Sequence, residues 1–138
     1  MVGRLLKWKG HFYAIRKLHD FFYKNQLISN IKVIIYGNGP EKTKIEKYIY
    51  DNSINYIKIK DNETNADRIY NNLDILLHPS FNEGLGLVVL EALQNGKPCI
   101  VSNQGAMKEL IQHKKNGYVF NFDRDKSLIN GINFCIEN

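Results

Sequence analysis

Pro79-Ser80-Phe81-Asn82-Glu83-Gly84-Leu85-Gly86-Leu87-Val88-Val89-Leu90-Glu91-Ala92-Leu93-Gln94-Asn95-Gly96-Lys97-Pro98 decides how this chain is read. It sets two carboxylates, Glu83 and Glu91, around a glycine-rich entry into a helix. At about 1.5 Å rise per helical residue, their separation is roughly 12 Å. Gly84 and Gly86 let backbone N–H groups at the helix start approach an anion. The layout suits a ligand with phosphates in its middle and hydroxyls at both ends, which describes a nucleotide sugar. A plainer reading competes with it. Ser80-x-x-Glu83 is also a capping box, and Glu91 is also a solvated charge on a helix surface.

Outward from this stretch, short apolar runs alternate with helical patterns, the sequence form of a parallel sheet with helices on both faces. Strands are expected at 2–5, 31–36, 55–59, 74–78, 98–101 and 118–120. Between the first two, Phe12, Ile15, Leu18, Phe21 and Phe22 recur at helical spacing. Pro40 fits the first turn of a helix carrying Ile45, Tyr48 and Ile49. Later helices are expected at 65–71, 85–94, 106–112 and 124–136. In open parallel sheets ligands bind beyond the carboxyl ends of the strands, and most of the unusual residues fall there. They are Gly3-Arg4, Gly37-Asn38-Gly39, residues 58–60, 78–86 and 102–105.

At 138 residues the chain makes one domain, an α/β unit spanning 1–138. The net charge of +5 favours anionic ligands and surfaces, an anionic membrane face among them. The basic residues are scattered and no nucleic-acid-binding motif accompanies them, so no nucleic acid is expected as a partner. Cys99 and Cys135 have neither metal-ligand spacing nor a redox partner and read as buried free thiols of a reducing compartment. No signal-peptide layout or membrane-length apolar run occurs in these residues, and the expected location is cytoplasmic, peripheral to the inner membrane face at most. No Asp, Glu and His cluster suggests a metal, and neither metal nor cofactor is expected. His78 reads as packing or solvent contact, while Tyr36 and Tyr56 are secondary candidates for contact with a nucleobase.

Two segments together resemble a known family. Residues 79–102 are similar to the signature of glycosyltransferase family 4, the retaining enzymes of the GT-B fold. Val2-Gly3-Arg4-Leu5-Leu6-Lys7-Trp8-Lys9-Gly10 resembles that family's G-R-L-x-x-x-K-G element. The resemblance implies a Rossmann-like domain that is one half of a two-domain enzyme, with the N-terminal acceptor domain lying in cis outside this chain. Residues 2–5 read as the end of a strand without its beginning, so Met1 is expected to start a fragment. The activity implied is hexose transfer from a nucleoside diphosphate, UDP favoured over GDP, to a glycan or lipid-linked acceptor in polysaccharide biosynthesis. The isolated fragment is then expected to be inactive.

By position, the resemblance assigns Arg4 and Lys9 to the donor diphosphate, whose negative charge grows as the sugar–phosphate bond breaks. Gly84, Leu85, Gly86 and Leu87 become the helix entry that contacts phosphate and sugar. Glu83 becomes the catalytic and sugar-positioning carboxylate. Glu91 falls on the ribose hydroxyls, which a carboxylate can accept as a pair. Segment 102–111 resembles the family's paired-glycine stretch, but Ala106 replaces the second glycine and no site residue is taken from it. Asn116-Gly117-Tyr118-Val119 matches a structural turn. Sugar phosphorylases share the architecture, yet no lysine pattern here indicates their pyridoxal cofactor. Two rival readings need no transfer by this chain: a stand-alone nucleotide-sugar-binding subunit dependent on a partner chain, and a regulatory nucleotide-binding module.

Overall fold

A computed structural model describes residues 1–25, 31–61 and 63–138. The chain alternates strand and helix, in the order α1 (His11–Asn25), β1 (Val33–Tyr36), α2 (Lys42–Asp51), β2 (Ile57–Lys60), α3 (Ala66–Asn71) and β3 (Leu76–His78). Then follow α4 (Leu87–Gln94), β4 (Cys99–Ser102), α5 (Met107–Leu110), β5 (Gly117–Phe120) and α6 (Ser127–Glu137). All strand pairs are parallel: β1 joins β2 with Ile35 opposite Ile59, and β4 lies between β3 and β5 with Ile100 opposite Leu77 and Tyr118. Parallel neighbours need crossovers, and the helices supply them.

Successive strand residues point to opposite faces, and both faces are covered. Ile35, Leu77, Ile100 and Phe120 join one apolar cluster with Ala14, Ile15, Leu18 and Phe22 of α1, Ile45 of α2, and Leu128, Ile129 and Ile132 of α6. Their strand neighbours Tyr36, Leu76, Cys99 and Val101 join a second, with Ile69 and Tyr70 of α3, Val89 and Ala92 of α4, and Met107 of α5. Each fully buried aliphatic side chain contributes about 1.5–3 kcal/mol, so these two layers are the main stabilising term. The first cluster draws on both sheets and ties them into one unit.

Four local expectations are corrected. The strand expected at 2–5 shrinks to a single parallel bridge between Val2 and Tyr36. Tyr36 N–H donates to Met1 O and Gly3 N–H to Tyr36 O, but β1 ends there, and Leu5 N–H is left to pair with Asn38 O of the following loop. Pro40 lies ahead of α2 rather than in its first turn, because the first α-type bond runs from Ile45 N–H to Glu41 O. Helix α5 stops at Leu110, where Ile111 turns extended. Tyr36 and Tyr56 are buried in the two apolar clusters, Tyr56 edge-on against Phe22, and are not open to a base.

Cys99 is buried and Cys135 partly so, both free, and burial pushes the Cys99 thiol up to about 12. No helix among the described residues is long and apolar enough to cross a membrane.

Candidate functional site

The segments after the first bridge, β3 and β4 meet at one end of the sheets. Residues Lys7–Lys9 form a single 3-10 turn in which Lys7 O is taken by Gly10 N–H and Trp8 O is turned to the neighbouring loop. Trp8 O accepts from Phe81 N–H at 2.7 Å and from Ser80 Oγ at 3.2 Å. Ser80 and Ser102 are fully buried, and Ser102 Oγ donates to Ser80 O at 2.5 Å. Loop 79–86 is therefore pinned from two sides by hydrogen bonds out of water, where each is costly to leave unmade.

Two glycines permit this approach. Gly10, at φ 72, lies so close to Pro79 O that a Cβ would strike it, and Gly105, at φ 67, stands in the same relation to Glu83 O. The residue after Gly105, Ala106, has ordinary helical angles and needs no glycine. The substitution noted in the sequence is thus harmless to the turn, and Gly105 is the position that matters there.

Glu83 sits at the centre. Its Oε2 receives Lys9 Nζ at 2.5 Å and lies 3.1 Å from Nε2 of His78, a residue only 3% exposed. Burial raises the carboxyl's pKa, but Lys9 and His78 together outweigh burial and hold it below the ordinary value. Burial in turn pulls His78 down against the pull of Glu83. His11 packs behind this group, 2% exposed with Nδ1 unpartnered; burial, helped by the Met1 amino group, His78 and Lys9, takes it down to about 3. A lone histidine in sequence gave no sign of this, since the His78–Glu83 contact crosses a loop whose path is set by Trp8, Ser102 and Gly105.

The capping-box reading fails. Helix α4 begins at Leu87 with Gly86 as its N-cap at φ 65, and Ser80 Oγ donates to the carbonyls of Trp8 and Asn82 instead of accepting from a helix N–H. Residues 84–86 are not helical either, so the helical ruler between Glu83 and Glu91 holds only from Leu87 onward. What remains is a free helix start. Val89 N–H already donates to Gly86 O, but the N–H groups of Leu87 and Val88 have no intrahelical acceptor and carry the positive end of the helix dipole. Gly84 beside them has open space where a side chain would stand, and Leu85 and Leu87 are exposed.

Glu91 lies one turn further along α4, exposed, with Tyr70 Oη donating to its Oε2 at 2.7 Å and to Val88 O at 3.2 Å. Burial and the neighbouring carboxylate raise the Tyr70 hydroxyl's pKa, so it stays a donor. Arg4 is exposed and has no acidic partner among the described residues. The structure thus brings Lys9 onto Glu83, sets Arg4 on the adjoining segment and Gly84 to Leu87 at the helix start, and keeps Glu91 one turn deeper. Among the described residues no group of three or more histidine, cysteine, aspartate or glutamate side chains is arranged to hold a metal ion. Chemically, the arrangement offers one uncommitted guanidinium, one ammonium already on a carboxylate, free amides at a helix start, and two carboxylates on either side.

Known proteins resemble this chain along its length. The family model described as "Glycosyl transferases group 1" matches residues 1–138. An uncharacterized glycosyltransferase of Methanocaldococcus jannaschii is 32% identical over 119 residues, covering 84% of this chain and 30% of that protein. The Escherichia coli UDP-Gal:alpha-D-GlcNAc-diphosphoundecaprenol alpha-1,3-galactosyltransferase is 30% identical over 135 residues, 96% of this chain and 34% of its own length. The crystal structure of Anabaena HepE in complex with UDP and glucose superposes with a TM-score of 0.83 at 26% identity, covering 99% of this chain and 38% of that one. The chain spans about a third of the length of each of these relatives.

Proposed function

The chain belongs to the group 1 glycosyl transferases, and from that premise we propose that it is the donor-binding domain of a retaining family 4 enzyme. In this reading the whole enzyme moves a hexose from UDP to a glycan or lipid-linked acceptor. The fold is a Rossmann-like half of the GT-B architecture. The acceptor-binding half belongs to the remainder of the enzyme, in keeping with the third of its relatives' length that this chain spans. UDP is preferred as donor nucleotide because the galactosyltransferase relative is named for UDP-Gal and the Anabaena neighbour was crystallised with UDP.

The observation that carries the reading is Glu83 held by Lys9 and His78 beside the open start of α4. The diphosphate lies against the amides of residues 84–87, with Arg4 free to meet it and Lys9 placed to share it with Glu83. As the bond from C1 to the phosphate oxygen breaks, its electron pair stays on UDP, where Arg4 and Lys9 neutralise the added charge. Positive charge then develops at C1 and the ring oxygen, opposite the Glu83 carboxylate. A general base works best with a pKa near the working pH. Glu83 is held below the ordinary carboxylate value, which suits orienting sugar hydroxyls and facing a cation rather than accepting a proton. His78 fixes the carboxylate's direction and Tyr70 that of Glu91, which takes the ribose hydroxyls.

Titration of UDP and UDP-galactose into the Glu83→Gln chain tests this. The expected variant keeps its thermal stability within about 1 kcal/mol, as for a surviving neutral hydrogen bond. It binds UDP as the parent does and loses any preference for the sugar-bearing donor. In the full-length protein it loses most of its transfer rate. A Glu83→Gln protein with parental donor preference and rate returns Glu83 to a purely structural role.

A further inference from the structure

Beside the donor site, between the outer side of α1 and the start of α2, lies an open cavity of about 360 Å³ that the proposed chemistry does not use. Its lining combines cations, rings and acids. Lys7, Arg16, Lys17 and Lys44 are the cations, Phe12, Tyr13 and Phe81 the rings, and Asp20 and Glu41 the acids.

Two of the cations are committed: Lys17 to Asp125 and Lys44 to Glu41, both at 3.0 Å. Lys7 and Arg16 are exposed and have no acidic partner among the described residues. The rings are braced. Phe81 stacks on Phe122 at 4.0 Å and 12°, and Tyr13 meets both edge-on at 5.8 and 4.9 Å. With one face so held, Phe81 still leaves 43% of its surface exposed.

Each part selects a different feature of a ligand. A rigid aromatic face covers the C–H side of a sugar ring at little entropic cost. Carboxylates accept from sugar hydroxyls. An unpaired guanidinium and an ammonium lining one cavity suit a phosphate, the guanidinium through two parallel hydrogen bonds. Inorganic phosphate leaves the rings unused, and a neutral sugar leaves Lys7 and Arg16 unused. The volume falls in the range of small-molecule sites. We propose that this cavity is a second ligand site, distinct from the donor site, for a phosphorylated sugar. It adjoins the donor loops directly, since Lys7 shares the 3-10 turn of Lys9 and Phe81 precedes Glu83 in the same loop.

The test follows backbone amide shifts by NMR while galactose 6-phosphate, galactose and inorganic phosphate are titrated separately, each with and without saturating UDP. Galactose 6-phosphate is expected to bind at least tenfold tighter than either part alone, to shift amides along α1, and to remain bound when UDP is present. The Lys7→Ala/Arg16→Ala protein is expected to lose tenfold or more in that affinity while binding UDP within twofold of the parent. Lys7→Gln/Arg16→Gln serves as a second variant, and a melting curve confirms that each is folded. Inorganic phosphate binding as tightly as the sugar phosphate overturns the proposal, as does UDP competing for the same site. Absence of saturable binding overturns it as well.

Discussion

Glu83 and Glu91 come from one motif, yet the molecule treats them in opposite ways. Glu83 sits on a loop with no regular structure, 18% exposed at its side chain, and is held by a lysine from the first segment and a buried histidine from β3. Glu91 rides a regular helix, exposed, with a single tyrosine donor. A carboxylate meant to face developing charge must be fixed before the ligand arrives, because ordering it later subtracts from binding. A carboxylate that only accepts ribose hydroxyls can rely on the helix beneath it. Preorganisation is thus concentrated at the proposed reacting end of the site and relaxed at the proposed nucleoside end.

The largest effect expected on this contrast comes from the backbone under Glu83. Gly105→Ala combines a left-handed backbone, costing about 1–2 kcal/mol for a residue with Cβ, with a direct clash against Glu83 O. A loss of about 3 kcal/mol in unfolding free energy is therefore expected, at the level of overpacking a filled site. Gly84→Ala has open space instead. It should leave the melting curve almost unchanged and weaken only diphosphate binding. Equal stability of the two variants would break the comparison.

Next come the two cations. Lys9→Ala removes the hydrogen-bonded partner of a half-buried carboxylate and should cost about 1.5–3 kcal/mol of stability, together with diphosphate affinity. Arg4→Ala, with no partner to strand, should lower diphosphate affinity alone. Nucleoside binding should be spared in both, and titrations of uridine and UDP at two salt concentrations check this.

These contrasts also mark what the sequence could reveal. Helix α4 and the position of Glu91 were legible because a helix repeats locally, and the strand–helix alternation was legible because each burial pattern spans only a few residues. The environment of Glu83 was not. Its partners lie far off in the chain at Lys9 and nearby at His78, and a path pinned by Trp8, Ser102 and Gly105 brings them together. The local rule Ser-x-x-Glu pointed instead to a cap that the buried hydrogen bonds of Ser80 forbid. In segment 102–111 the sequence shows an alanine, Ala106, where a second glycine is expected, but the close approach to Glu83 O falls on Gly105, the glycine that is present.

A smaller and graded effect is expected in acid. His11 is buried neutral behind Glu83, its pKa taken from 6.5 to about 3, with His78, Lys9 and the Met1 amino group as the charged and titratable neighbours. The unfolded chain takes up this proton first. Stability from His11 is therefore complete above pH 6.5 and falls toward pH 3, at no more than about 1.4 kcal/mol per pH unit. His11→Gln should flatten that slope in chemical denaturation between pH 6 and 4. An unchanged slope would show that His11 is already protonated in the fold.

The central claim is that this chain binds a nucleoside diphosphate with Glu91 on the ribose. It is tested most directly by calorimetric titration of UDP and 2′-deoxy-UDP into the parent and Glu91→Ala chains. The parent should prefer UDP. Glu91→Ala should stay folded, giving up one Tyr70 hydrogen bond while Tyr70 Oη keeps Val88 O, lose about 1.5–3 kcal/mol of UDP affinity, as for a hydrogen bond to a charged group, and bind both nucleotides alike. A variant that keeps the parent's ratio between the two nucleotides would contradict the claim and leave Glu91 a charge on a helix surface.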